Sequence, residues 1–174
     1  MKIFLVAGKA QSGKDFVGKK IQNYYDQFDQ KSVITRFSKY VKLYAREMTD
    51  WNGLEEEKPR KFLQQMGTFI REKMDNPYFF IKRMIEDIEI YSNFFDNVII
   101  TDVRLPDEIE QIKKLYKDAV VIYVKNEKEN NLKPKEKEHF TEIALDDYED
   151  FDYIIYNNGQ DLDEKIENIL GSIE

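Results

Sequence analysis

The chain has 174 residues, no cysteine and one histidine, which excludes disulfides, iron–sulfur clusters, multi-histidine metal centres and a cysteine nucleophile. Lysine and arginine total 27 against 34 acidic residues, a net charge of −7, so the positive field that nucleic acid or an anionic membrane requires is missing. At 41% hydrophobic and 14% aromatic residues, this length suits one domain with a real core.

In chain order, the first apolar run is Ile3-Phe4-Leu5-Val6. It is too short for a signal or membrane-spanning segment, and a soluble, cytoplasmic protein is expected. It reads as a strand buried on both faces. Directly after it comes Gly8-Lys9-Ala10-Gln11-Ser12-Gly13-Lys14-Asp15, a G-x-x-x-x-G-K loop. The two glycines let the backbone curl so that successive amides face phosphate oxygens. The helix that starts near Gly13 adds its positive end, and Lys14 reaches the β- and γ-phosphates of a nucleoside triphosphate. Asp15 stands where a hydroxyl is usual, and its harder, charged oxygen suits Mg²⁺ directly or through water. The loop as a whole, with Phe16 just beyond it, is the expected ATP site.

Val17, Ile21, Tyr24, Tyr25 and Phe28 recur at helical spacing. A second strand is expected at Val33-Ile34, followed by Arg36 and by a helix carrying Val41, Tyr44, Ala45 and Met48. The acidic stretch Asp50 to Lys58 reads as a loop. Gln64, Thr68 and Arg71 sit at offsets that stack on one helix face; Thr68 and Arg71 suit a phosphate or ribose, and Gln64 suits a base edge. Ile81, Met84, Ile85 and Ile88 mark another helix. The run Val98-Ile99-Ile100 is a third strand, closed by Asp102, with Arg104 two residues on. Asp102 at a strand end can hold Mg²⁺ or its water shell, and the Arg104 fork matches phosphate oxygens. A salt bridge from Arg104 to Asp107 or Glu108 is the plainer reading. Leu105, Ile109, Ile112 and Tyr116 give a helix, Val120 to Val124 a fourth strand, Tyr153 to Tyr156 a fifth, and Leu162, Ile166, Ile169, Leu170 and Ile173 a last helix. Between the last two strands lies the Lys/Glu/Asn-rich excursion Asn126 to Glu138, which reads plainly as a solvated loop but has the length of a lid. Tyr40, Tyr44, Trp51 and Phe69 suit stacking on a base, but the core is the plainer expectation for them, as for Tyr78-Phe79-Phe80. Strands alternating with helices imply βαβ units.

With Gly13-Lys14-Asp15 in the loop, the chain resembles the phage-type deoxynucleoside monophosphate kinases, P-loop members of the wider nucleoside monophosphate kinase group. Animal-type phosphomevalonate kinases share the Ser-Gly-Lys-Asp ending. Arg36-Phe37-Ser38-Lys39 resembles the family's acceptor-side Phe-Ala segment. Arg60, Leu63-Gln64, Gly67-Thr68 and Arg71 resemble its acceptor segment, with Thr68 and Arg71 one residue closer than its pattern. Thr101-Asp102-Val103-Arg104 with Pro106, Asp107 and Glu108 resembles its Asp-Val-Arg-x-Pro-Asn-Glu segment. His139-Phe140-Thr141-Glu142 and Asn157-Asn158-Gly159 resemble two later ones.

The resemblance implies a P-loop α/β three-layer sandwich: a five-stranded parallel sheet in the order 2-3-1-4-5 with helices on both faces. It implies a single domain over 1–174, an acceptor-binding helical segment over about 36–94 and a lid over about 126–142. The implied reaction moves the γ-phosphoryl group of ATP, with Mg²⁺, to a nucleoside or deoxynucleoside monophosphate. Lys14, Asp15, Asp102 and Arg104 are then catalytic, with Asp15 and Asp102 at the metal. Arg36, Phe37, Lys39, Gln64, Thr68 and Arg71 receive the acceptor. Lys128, His139 and Glu142 belong to the lid, where lysines replace the arginines usual in such kinases. A homodimer stays open. So do three other functions: a kinase of another phosphorylated small molecule, a nucleotide-binding module without turnover, and an NTPase switch.

Overall fold

In the computed structural model, which describes residues 1–126, 140–158 and 161–173, every short apolar run is a strand. β1 (Lys2–Ala7), β2 (Ser32–Thr35), β3 (Asn97–Val103), β4 (Val120–Lys125) and β5 (Tyr153–Tyr156) pair in parallel in the order β2-β3-β1-β4-β5. The expected sheet is therefore present. Its central strands explain their unbroken apolar runs. Phe4, Leu5, Val6, Val98, Ile99 and Ile100 are all fully buried, because consecutive side chains point to opposite faces and both faces are covered.

The helices are α1 (Lys14–Asp26), α2 (Lys39–Met48), α3 (Arg60–Thr68), α4 (Phe79–Tyr91), α5 (Pro106–Leu115), the single turn α6 (Phe140–Ile143) and α7 (Leu162–Ile173). On one face, Phe4, Val6 and Ile99 pack with Val17, Ile21 and Tyr25 of α1 and with Ile166 and Leu170 of α7. On the other, Leu5, Val98 and Ile100 pack with Val41 of α2, Met84 and Ile88 of α4, and Ile109 and Ile112 of α5. These are the three layers of a doubly covered sheet. Each such aliphatic side chain withdrawn from water contributes roughly 1.5–3 kcal/mol.

Three expectations need correction. β5 is an edge strand with α7 on one face only, so Ile155 is buried while Ile154 and Tyr156 stand in solvent. The apolar stripes of α1 and α2 run past their packing partners, and Phe28 and Met48 are exposed. Of the aromatic set, Trp51 and Phe80 are buried, Tyr40 and Phe79 pack partly against the core, and Phe69 and Tyr78 are exposed. Tyr78 precedes the first turn of α4. Phe69 opens a wide turn, Phe69–Lys73, closed by the bond from the Met74 amide to the Phe69 carbonyl (3.1 Å). That turn directs its neighbour Ile70 into the core instead.

All five strands run the same way, so their carboxyl ends share one edge. There β1 runs into the glycine loop, β2 into Arg36, and β3 into Asp102 and Arg104. Ligands of such sheets bind at that edge.

Candidate active site

The glycine loop bends through left-handed backbone at Gln11 (φ 62°) and Gly13 (φ 101°), a geometry that turns successive amides inward. A side chain on Gly13 would place its Cβ 2.4 Å from the Asn157 amide nitrogen. That nitrogen donates to the Ser12 carbonyl (3.0 Å), so the turn after β5 braces the loop from behind. The first amides of α1 have no partner within their helix and face an incoming anion. Lys14 is the first residue of α1, and its ammonium lies inside the loop, donating to the carbonyls of Gly8 (2.8 Å) and Lys9 (2.5 Å). Burial, then the nearby Arg104 charge, bring its pKa down to about 8.

Asp15 accepts from the Thr101 hydroxyl and from Arg36 Nη2, both at 2.7 Å. Burial alone would raise its pKa, but these hydrogen bonds and the Arg36 charge outweigh it and hold the carboxyl below its ordinary value. Gly18 makes the contact possible: a Cβ there would come within 2.3 Å of the Thr101 methyl, so α1 lies directly against β3. Asp102 accepts from the amides of Phe37 (2.7 Å) and Ser38 (2.9 Å), one on each oxygen. It thus ties the end of β3 to the start of α2 and fixes the turn that carries Arg36.

Arg104 is held at two levels. Its amide donates to Glu108 (2.8 Å), which also receives the Leu105 amide (3.1 Å) at the start of α5. Burial pushes the Glu108 carboxyl up to about 7, against the pull of the Arg104 amide. The Arg104 guanidinium pairs with Glu142 of α6, so neither acid of the plainer expectation is its salt-bridge partner. The other Glu142 oxygen accepts the Ala10 amide of the glycine loop (2.8 Å). A buried carboxylate therefore already sits on an amide of the loop built for phosphate.

These groups line one cleft of about 740 Å³, a size suited to small-molecule ligands. Across it, Gln64, Gly67 and Arg71 form a second wall. The Arg71 guanidinium is stacked between the rings of Phe80 (5.0 Å) and Phe140 (5.7 Å), and it passes 3.2 Å from where a Cβ on Gly67 would lie.

The structure brings Ala10, Gln11, Gly13, Lys14, Asp15, Arg36, Phe37, Gln64, Arg71, Asp102, Arg104 and Glu142 together in this cleft. It places others elsewhere. Lys9 turns outward to Asp146 (2.6 Å). Phe16 is 47% exposed on the outer side of α1, with Lys20 over its ring. Lys39, expected at the acceptor, pairs with the buried Asp87 (2.5 Å) and Tyr91 (3.0 Å) against α4. Thr68 does not line the cleft. Gly67 takes that place, three residues after Gln64 and four before Arg71, a spacing that stacks on one helix face as well as the one expected for Thr68. Lys128, His139 and most of the lid segment lie outside the described residues.

Thr101, Lys42, Glu55, Lys58 and Glu108 line the cleft too, although sequence reasoning singled out none of them as ligand contacts. A charged residue at the face shared with Val41 and Ala45 was the available signal for Lys42. The acidic stretch Asp50 to Lys58 has the composition of an ordinary loop and carries no such signal.

Asp15 and Asp102 offer oxygen only, as Mg²⁺ prefers. Asp15 has one oxygen outside its two hydrogen bonds, and each Asp102 oxygen accepts only one amide. Among the described residues there is no cluster of three or more metal-ligating side chains. The pair therefore fits an ion whose remaining ligands come from phosphate and water.

Comparisons with known proteins agree with this fold. A family model for deoxynucleotide monophosphate kinase matches residues 28–169. The phosphomevalonate kinase of Drosophila melanogaster is 24% identical over 98% of this chain and 95% of its own. Among solved structures, the APS kinase CysC of Mycobacterium tuberculosis aligns with a TM-score of 0.55 at 10% identity, over 98% of this chain and 94% of its own. A shikimate kinase of Bacteroides thetaiotaomicron aligns with a TM-score of 0.52 at 13% identity, over 99% and 97%. Both are kinases, and at these identities they speak for the fold alone.

Proposed function

We propose that this chain, which belongs to the deoxynucleotide monophosphate kinase family, transfers the γ-phosphoryl group of Mg·ATP to the phosphate of a nucleoside or deoxynucleoside monophosphate. The observation that carries this reading is the single cleft in which a phosphate loop faces a second wall bearing Arg71 and, from the end of β2, Arg36. A donor and an acceptor that are both phosphates need that pairing.

In this reading the loop amides and Lys14 hold the β- and γ-phosphates, and Arg104 takes charge that develops on the transferring group. Arg36 and Arg71 hold the acceptor phosphate in line. An acceptor oxygen forms the new bond to the γ-phosphorus as the bond to the β-bridging oxygen breaks, and ADP leaves. The acceptor is already an anion at neutral pH, so no general base is required. Asp15 and Asp102 would hold Mg²⁺ together with the phosphates and water. When bound, the ion neutralises phosphate charge. No described helix is long and apolar enough to cross a membrane, and we read the enzyme as cytoplasmic.

A second reading keeps the chemistry and changes the acceptor. It is favoured by the phosphomevalonate kinase relative, which aligns along nearly the whole chain. A coupled ADP-release assay with Mg·ATP against ribo- and deoxyribonucleoside monophosphates and phosphomevalonate tests both. Turnover with one nucleotide family supports the first reading. Turnover with phosphomevalonate alone replaces it with the second. ATP binding without turnover on any acceptor would leave a nucleotide-binding module.

A further inference from the structure

Among the described residues, seven cationic side chains line the cleft: Lys14, Arg36, Lys42, Lys58, Arg60, Arg71 and Arg104. Five of them have partners in the protein. Lys14 bonds two loop carbonyls, Arg36 pairs with Asp15, Lys58 and Arg60 share Glu55, and Arg104 pairs with Glu142. Among the described residues, Lys42 and Arg71 alone of the seven have neither a hydrogen bond nor an ion pair from their side chains. Arg71 is at least seated between two rings.

Lys42 lies in the first turn of α2, where its amide bonds the Ser38 carbonyl (3.1 Å). Its side chain is partly buried, and burial followed by the Lys58 charge lowers its pKa. An ammonium withdrawn from water with no anion in hydrogen-bond contact is costly, and Asp102 and Glu55, acting at a distance, only partly offset that cost. The charges acting on Lys42 are Lys58, Asp102, Arg36 and Glu55. Those acting most on Lys14 are Arg104, Glu142, Asp102 and Asp15. Lys14 lies inside the glycine loop, bonded to its carbonyls, whereas Lys42 lines the cleft from α2, with Arg36 and the loop that ends at Lys58 among the charges nearest to it.

We propose that Lys42 is an acceptor-binding residue whose ammonium takes an oxygen of the acceptor's phosphate beside Arg36, while Arg71 takes another from the α3 side. This rests on the phosphoryl-transfer reading above. It makes the acceptor anion the missing partner of the two unpaired cations of the cleft.

The test compares wild type with Lys42→Met, which keeps the stem and removes the charge, and Lys42→Arg, which restores it. Acceptor and ATP KM values are measured on the best acceptor of the panel, with melting temperature alongside. Lys42→Met is expected to raise acceptor KM roughly 10- to 100-fold, the weight of one charge-assisted hydrogen bond. ATP KM should stay within about twofold and the melting temperature should not fall, since an unpaired ammonium holds nothing in the fold. Lys42→Arg should recover most of the acceptor affinity. An acceptor KM that moves less than about threefold, or an ATP KM that rises in step with it, overturns the assignment. If wild type itself transfers to no acceptor, the phosphoryl-transfer reading fails first and the assignment falls with it; that outcome is visible before any variant is made.

Discussion

Glu142→Gln separates a structural salt bridge from an occupied phosphate site. The Glu142 side chain is 7% exposed and its partner Arg104 30%. Glutamine keeps a carbonyl oxygen for the Ala10 amide, now 2.8 Å from the carboxylate, but it offers Arg104 no charge. Breaking a fully buried pair costs about 3–5 kcal/mol and an exposed one about 0–1. This half-buried pair falls between, at about 1–2 kcal/mol. A chain of this size loses roughly 2–4 °C of melting temperature per kcal/mol, so the variant should melt about 2–8 °C lower without nucleotide. Saturating Mg·ATP supplies Arg104 and the loop with phosphate oxygens in place of the carboxylate. The deficit should then shrink to near zero, because wild type must first give up the contact that the variant lacks. The same balance should make ATP binding to the variant roughly 5- to 30-fold tighter. Differential scanning fluorimetry with and without Mg·ATP reads the first effect and calorimetric titration the second. An equal melting deficit in both conditions would refute the reasoning and leave Glu142 as a strut between α6 and the loop.

Two further outcomes follow from the donor half. Lys14 gives up its proton at about pH 8 in the free protein, and bound phosphate holds that proton on, so ATP affinity should be flat below pH 7 and fall as pH rises through 8. The loss should be roughly tenfold between pH 7 and 9; a flat calorimetric profile over that range would remove Lys14 from the phosphates. Asp15→Asn keeps an acceptor for Thr101 but loses the charge that pairs with Arg36 and would attract Mg²⁺. The Mg²⁺ concentration giving half-maximal turnover should rise several-fold, and an unchanged Mg²⁺ titration excludes Asp15 from the metal.

The sheet was legible because its signals are local. Ile3 to Val6 and Val98 to Ile100 are buried on both faces, and nothing else explains such runs so close to a glycine loop and an Asp-ended turn. The same rule misjudged β5, since a tetrapeptide such as Tyr153 to Tyr156 carries no mark of standing at the sheet's edge. Thr68 was ambiguous for another local reason. Gly67 and Thr68 both stand three or four residues from Gln64 and from Arg71, and the cleft is lined by Gly67. Spacing alone does not choose between neighbours on one helix face.

What stayed hidden is the pairing of charges. Sequence placed Asp15, Arg36, Asp102 and Arg104 at the strand ends, and the cleft contains all four. It could not say that Asp15 neutralises Arg36 across 21 positions, that Glu142 neutralises Arg104 across 38, or that Asp102 spends its oxygens on two amides of α2. The net charge of −7 conceals the reverse balance in the cleft, where, among the described residues, seven cations face the five acids Asp15, Glu55, Asp102, Glu108 and Glu142. That local excess is what an anion-binding cleft needs in its resting state. Most of its cations are kept folded against internal carboxylates, which limits the cost of burying them. Those left over, Lys42 of α2 and Arg71 of the turn after α3, are the cations whose charge a bound anion would meet directly. The glycine loop is held differently: Lys14 bonds the carbonyls of Gly8 and Lys9, and the Ala10 amide already rests on Glu142.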